Sequence, residues 1–244
     1  MRKNIINQSY SLQQKNVTLS NTVVRSAQGL TLVEKRILMA ALAKMNGIFK
    51  PVKILALEYA EAFDVKPKQA YEQLKESVHN FRKRYITFTE KDKNNHILFW
   101  EINWLSAVAY PENEGYIMIE FNPRLMPYLC ELEKQFTTYQ LKQAGALRSI
   151  YSWRMLELLE QMKNRKDEDG WLNIPITDFW HAMEASETYR ANFSLLRKRI
   201  IDPACKELIE KDGWLINWEA LKTGKKVTSL KFNFKRDPQG RLAL

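Results

Sequence analysis

One order of elements occurs twice in this chain, at a spacing of about 115 to 120 residues, and that repetition limits the folds open to it. In the first pass Thr31-Leu32-Val33-Glu34 forms a capping box. Val33, Ile37, Ala41 and Met45 continue at helical spacing, which predicts a helix from Thr31 to Lys44 that ends at Asn46-Gly47. A short strand (Pro51 to Leu57), a short helix (Glu58 to Phe63) and a longer helix (Gln69 to Arg84, with the stripe Tyr71, Leu74, Val78, Phe81) follow. Strands are then expected over Tyr85 to Thr89, His96 to Val108 and Gly115 to Phe121. In the second pass Leu147, Tyr151, Met155, Leu159 and Met162 mark a helix and Trp171 to Ile176 a strand. A short helix from Thr177 to Met183, with Thr177 as its N-cap, precedes a long helix from Glu187 to Leu208. Two strands, Trp214 to Trp218 and Val227 to Phe234, close the half across a turn at Thr223-Gly224.

Helix, strand, helix, helix and a two-strand wing is the winged form of the helix-turn-helix, so the expected class is α+β with two tandem winged-helix domains in pseudo-repeat. The repeat is one of order, since few identities join the halves; Ile54 with Glu58 against Ile174 with Asp178 is the clearest. The Asn-, Gln- and Ser-rich residues 1–24 read as a flexible tail. Domains are expected at 25–135 and 136–236, with a second tail at 237–244.

In the Glu187 to Leu208 stretch, Tyr189, Phe193, Leu196 and Ile200 form one apolar stripe. Asn192, Ser194, Lys198 and Arg199 point away from it, and Arg190 and Arg197 add charge. No carboxylate intervenes until Asp202, which suits a helix lying against phosphates and base edges in a DNA groove. The plainer reading is an amphipathic helix with a solvated basic face. Asp202-Pro203 resembles an N-cap followed by a first-turn proline, so a kink or restart is expected there. Lys222, Lys225 and Lys226 make the second wing basic. The first half's candidate helix exposes Gln73, Glu76, Asn80 and Lys83, and Glu72 and Glu76 repel phosphates. The second half is therefore assigned most of the reading. Lys66, Lys68 and Lys83 of the first are assigned phosphate contacts, beside a role in protein contacts.

Charge agrees with a polyanionic partner: 38 Lys and Arg against 28 Asp and Glu give +10, which favours nucleic acid or, less often, an anionic membrane surface. No apolar run approaches the roughly 20 residues that span a bilayer, and the expected location is cytoplasmic. Cys130 and Cys205 read as core thiols. His79, His96 and His181 form no metal motif, and Thr223-Gly224-Lys225-Lys226 lacks the upstream glycine and final Ser or Thr of a phosphate loop. An enzyme is disfavoured, and no cofactor is implied. Most tryptophans read as core or edge packing.

Five blocks in order resemble the replication initiator (Rep) proteins of theta-replicating, iteron-containing bacterial plasmids. They are Ser20-Asn21 with Gly29 to Leu38, then Phe121 to Leu129, Phe136 to Leu141, Ser149 to Leu159 and Arg197 to Ala204. The resemblance implies two winged-helix domains, with monomers on direct repeats at the origin and dimers repressing the protein's own gene at an inverted repeat. It also implies origin melting and recruitment of host initiator and helicase. The family's second-domain reading helix matches Tyr189 to Ala204. With a dimer implied, Tyr116, Ile117, Met118 and Ile119 become its candidate surface, on a strand that reads equally as central or as an edge. A tandem winged-helix transcriptional regulator shares the fold and the charge and remains the alternative.

Overall fold

The computed structural model describes residues 11–112, 114–130, 135–164 and 166–237. In chain order the first half holds β1 (Asn16–Ser20), α1 (Asn21–Arg25), α2 (Leu32–Met45), β2 (Val52–Leu55), α3 (Ala56–Phe63) and α4 (Pro67–Phe81). It continues through β3 (Tyr85–Lys91), β4 (Ile97–Asn103), β5 (Leu105–Ala109), β6 (Tyr116–Phe121) and α5 (Met126–Leu129). The second half holds β7 (Phe136–Gln140), α6 (Leu141–Gly145), α7 (Ile150–Met162), β8 (Asp169–Pro175), α8 (Ile176–Ala182), α9 (Glu187–Ala191), α10 (Phe193–Leu196), α11 (Asp202–Asp212), β9 (Trp214–Thr223) and β10 (Lys226–Arg236).

The capping box at α2 forms: Thr31 Oγ1 accepts from the Glu34 amide, and Glu34 accepts the Thr31 N–H at 2.7 Å. Left-handed Asn46 (φ 47°) ends the helix. Thr177 does not cap α8, which begins one residue earlier behind Pro175.

The two halves repeat in topology. Their sheets run β2-β6-β5 and β8-β10-β9, so in each the strand before the helix pair lies beside the last strand of the half. The first half inserts the antiparallel hairpin β3–β4 between α4 and β5. The single strand expected over His96 to Val108 is in fact two, in different sheets, because the chain turns a corner at fully buried Trp104, whose indole donates to the Gln28 carbonyl at 2.9 Å. The Lys91 to Asn95 turn is therefore the tip of the insertion. The counterpart of the second wing's tip is the β5–β6 connection at 110–115, which carries Glu112 and Glu114 and no lysine.

Strand β6 is central, paired with β2 on one side and β5 on the other. It offers no free edge, and Ile117 and Ile119 are fully buried. Tyr116, Ile117, Met118 and Ile119 are thus not a strand-pairing dimer surface, because backbone donors and acceptors already used inside a sheet cannot pair with a second chain.

Within the residues expected as a tail, 11–20 and onward are built into the fold. β1 pairs with β7 from Asn16↔Gln140 to Ser20↔Phe136, and Val17, Leu19, Val23 and Val24 have no exposure. A five-residue strand is hidden when composition is averaged over a polar stretch. Residues 1–10 and 238–244 lie outside the described residues.

The β1–β7 ribbon touches both α2 and α7. Across that junction Lys35 Nζ of α2 lies 2.6 Å from a Glu157 oxygen of α7, both side chains without solvent access. Gln28 Oε1 accepts from Lys35 at 2.7 Å, and Glu157 also accepts from Arg154 at 3.0 Å and Tyr139 at 3.1 Å. Burial pushes the Lys35 ammonium down to about 8, with the Glu157 carboxylate opposing the shift. Folded Lys35 thus gives up its proton more readily than unfolded Lys35, so unfolding takes up protons above about pH 8, and stability rises with pH there. Between pH 7.5 and 9.5 the expected gain is about 2 kcal/mol. Burial pushes the Cys205 thiol up to about 12, which acts in the opposite sense in the same range, so the check is a difference: in urea titrations the stability of the wild type relative to Lys35→Met should rise by about 2 kcal/mol across it.

Candidate nucleic-acid interface

The run from Glu187 to Asp212 is not one helix. Asn192 is extended (φ −128°, ψ 96°) and divides α9 from α10, its Oδ1 accepting from the Leu195 amide at 3.1 Å. Arg197–Ile201 then form a π-helical turn in which the Asp202 N–H donates to the Arg197 carbonyl, five residues back. Pro203 explains that turn. Its ring conflicts with the carbonyl four residues earlier, at Arg199, and it brings no N–H; widening the helix by one residue removes the conflict. The helix is therefore widened ahead of the proline rather than kinked or restarted at Asp202-Pro203.

Leu196, Ile200 and Ile201 are buried, and Ala204, Cys205 and Leu208 carry the buried face into α11. Tyr189 and Phe193 are only half-buried, so the anchoring stripe begins at Leu196. Arg190, Asn192, Ser194, Arg197, Lys198 and Arg199 are all exposed, but they are not equivalent. Arg190 donates to the Ala185 carbonyl at 2.7 Å. Arg197 Nε donates to Asp202 Oδ2 at 3.0 Å, with its guanidinium 5.6 Å from the Trp218 ring. Asp202 Oδ1 accepts from the Trp218 indole at 3.2 Å, and Trp218 meets Phe193 edge-on. Lys198 and Arg199 form no ion pair among the described residues.

Trp218 lies on β9, which leads to the wing tip. There Gly224 takes the left-handed conformation (φ 61°) that closes the β9–β10 turn, and Lys222, Lys225 and Lys226 are exposed around it. Asp202 and Trp218 thus join the reading helix to the wing, a link that sequence reasoning missed: Asp202 read as a cap and Trp218 as packing, and only the fold brings them together.

In the first half Lys66 and Lys68 stand exposed at the start of α4, and Lys83 lies beyond its end. The helix between them is about 22 Å long, so the three make no single patch. Its surface also shows Glu72 and Glu76. Gln73, expected to be exposed, is half-buried, and its Oε1 has no partner. His181 is no ligand: its Nε2 accepts from the Ala27 amide at 3.2 Å, and burial lowers its pKa. Trp104, Trp153 and Trp214 are core residues, whereas Trp171 is 60% exposed. Among the described residues no helix is long and apolar enough to cross a membrane, and no group of three His, Cys, Asp or Glu side chains is placed to hold a metal ion.

These burial differences separate anchor from surface. Leu196→Ala should cost about 2 to 5 kcal/mol of stability, while Lys198→Ala and Arg199→Ala should stay within about 0.5 kcal/mol of wild type. Urea midpoints for the three variants check the assignment, and equal losses would overturn it.

A family model described as "Initiator Replication protein, WH1" matches residues 16–160, starting at β1, and one described as "Initiator Rep protein, WH2" matches residues 175–234. An Escherichia coli protein described as an uncharacterized 27.6 kDa protein is 27% identical over 233 residues, covering 88% of this chain and 93% of its own. The Escherichia coli PI protein is 23% identical over 243 residues, covering 84% of this chain and 77% of its own. A crystal structure of Pi initiator protein in complex with iteron DNA superposes with a TM-score of 0.79 at 22% identity, covering 93% of this chain and 99% of that one. The chain therefore has two winged-helix domains, as the order of its elements predicts.

Proposed function

The chain belongs to the initiator replication protein family, and from that premise we propose that it starts plasmid replication by binding duplex DNA at repeated origin sites, its second winged helix reading the sequence. The observation that carries this reading is the pairing, on one domain, of a basic wing with two cations that form no ion pair among the described residues. Lys198 and Arg199 face outward from the reading helix beside Lys222, Lys225 and Lys226, in a chain of net charge +10. Lys198 and Arg199 contact base edges and phosphates in the major groove, with Ser194 and the free amide nitrogen of Asn192 at the helix's leading end. The wing lysines hold the flanking backbone. Arg190 and Arg197 support the helix more than they read. Lys66 and Lys68 add phosphate contacts from the first domain, and Lys83 touches a separate stretch of backbone.

Direct repeats bind the monomer, and a dimer binds an inverted repeat to repress the protein's own gene. With β6 enclosed, the dimer surface we propose is β4. Its outer edge is unpaired among the described residues, and it exposes Ile97 (59%), Leu98 (39%) and Phe99 (83%) with no charge among them. A long apolar edge of this kind is suited to pairing with its own copy. Origin melting and recruitment of host initiator and helicase complete the role.

Two measurements test this. If about 6 to 10 phosphates are neutralised, affinity for a repeat should fall by about 10³ to 10⁵ between 50 and 200 mM salt. A flat response, or equal binding to scrambled duplexes, would sink the DNA-reading role. For the dimer, Phe99→Lys should leave stability within about 0.5 kcal/mol of wild type. In sedimentation it should shift the protein toward monomer, and in gel shifts it should weaken inverted-repeat binding while sparing single repeats. Unchanged sedimentation of a self-associating wild type would remove β4 from the interface.

A further inference from the structure

Behind the unpaired cations stand two residues that the core hardly needs: Pro203 is exposed, and the Asp202 side chain is 43% exposed. Each nevertheless sets local geometry. α11 is fixed in the core by Ala204, Cys205 and Leu208, so the extra residue in the π turn determines the azimuth of everything ahead of it. One residue corresponds to about 100° of rotation around a helix axis. Asp202 then holds Arg197 with one oxygen and the wing strand's Trp218 with the other, which draws Arg197 toward the wing and leaves Lys198 and Arg199 facing outward.

We infer that Asp202 and Pro203 are positioning residues for sequence specificity, acting through the aim of Lys198 and Arg199 and through the link between reading helix and wing. This rests on the DNA-reading role proposed above. The carboxylate makes the two effects separable. A lone negative charge beside DNA repels phosphates, so electrostatics alone predicts that Asp202→Asn binds every duplex more tightly. Positioning predicts a loss confined to the preferred sequence.

The test uses the full chain and its Asp202→Asn and Pro203→Ala variants against two duplexes: one selected by the wild type from a random library, and a scrambled control of the same composition. For Asp202→Asn, scrambled binding should hold or strengthen by up to a few fold. Selected binding should weaken by about tenfold, the size of one good base contact. For Pro203→Ala the selected-to-scrambled ratio should fall by a similar factor while the melting temperature holds or rises, since alanine favours a regular helix. The inference is overturned if both variants keep the ratio within about twofold. That covers both affinities rising together, a pure charge effect, and both falling together with melting temperature, a purely structural one. A wild type that enriches no sequence would sink the DNA-reading role itself, and this inference with it.

Discussion

Lys35 and Glu157 meet at 2.6 Å without solvent, one from α2 in the first half and one from α7 in the second, and the packing of the two halves is built around that contact. An ion pair taken out of water gains little net stability, because desolvation offsets the attraction, but stranding one partner costs about 3 to 5 kcal/mol. The pair therefore acts chiefly as a constraint: other packings of α2 against α7 leave a buried charge unmatched. Gln28, Arg154 and Tyr139 extend it into a network in which each charged atom has a partner, the condition under which a buried polar cluster is tolerated.

The same network organises the segment from Ser26 to Gly29. Arg154 donates to the Ser26 carbonyl, His181 accepts from Ala27, and Glu184 accepts from the amides of Gln28 and Gly29, all from the second domain. Toward the first domain, the Ala27 carbonyl accepts from Thr87 of β3, and the Gln28 carbonyl accepts from Trp104 at the corner between β4 and β5. One short strap thus binds the end of α8 to the inserted hairpin. The hairpin whose β4 edge is proposed for pairing is thus joined by hydrogen bonds to the end of α8, the helix that precedes the segment proposed for reading.

Local signals made much of this legible in the sequence. The α2 capping box, the stripe of α4 and the order of elements all follow from residues within a turn or two of each other, and the structure reproduces them. What stayed hidden depends on partners far along the chain. β1 is recognisable only beside β7, 120 residues away at Thr18 and Thr138. The enclosure of β6 depends on β2 and β5. The break at Trp104 depends on a carbonyl 76 residues upstream. Within the segment from Glu187 to Leu208, Pro203 signals a disturbance in the sequence itself, but a stripe at period 3.6 presupposes that the helix keeps its period, and a π turn violates that assumption.

The two halves also share one topology while differing in surface charge and in the inserted hairpin. The first half's helix α4 shows Glu72 and Glu76, and its wing-equivalent connection carries Glu112 and Glu114, so both features that a winged helix lays on DNA are partly anionic there. Its inserted hairpin instead exposes the apolar run Ile97, Leu98 and Phe99, with Glu101 exposed further along β4. In the second half both features are cationic; Asp202, between them, is held by Arg197 and Trp218, and Glu219 on the wing strand lies 3.7 Å from Lys231. Sequence order assigned the same fold to both halves; the sign of the charge at the helix face and wing tip separates a half suited to protein contacts from a half suited to DNA. The buried Lys35–Glu157 pair holds α2 against α7, so Lys66 and Lys68, at the start of the helix that packs against α2, and Lys198 and Arg199, just ahead of the helix that packs against α7, are carried on one continuous core.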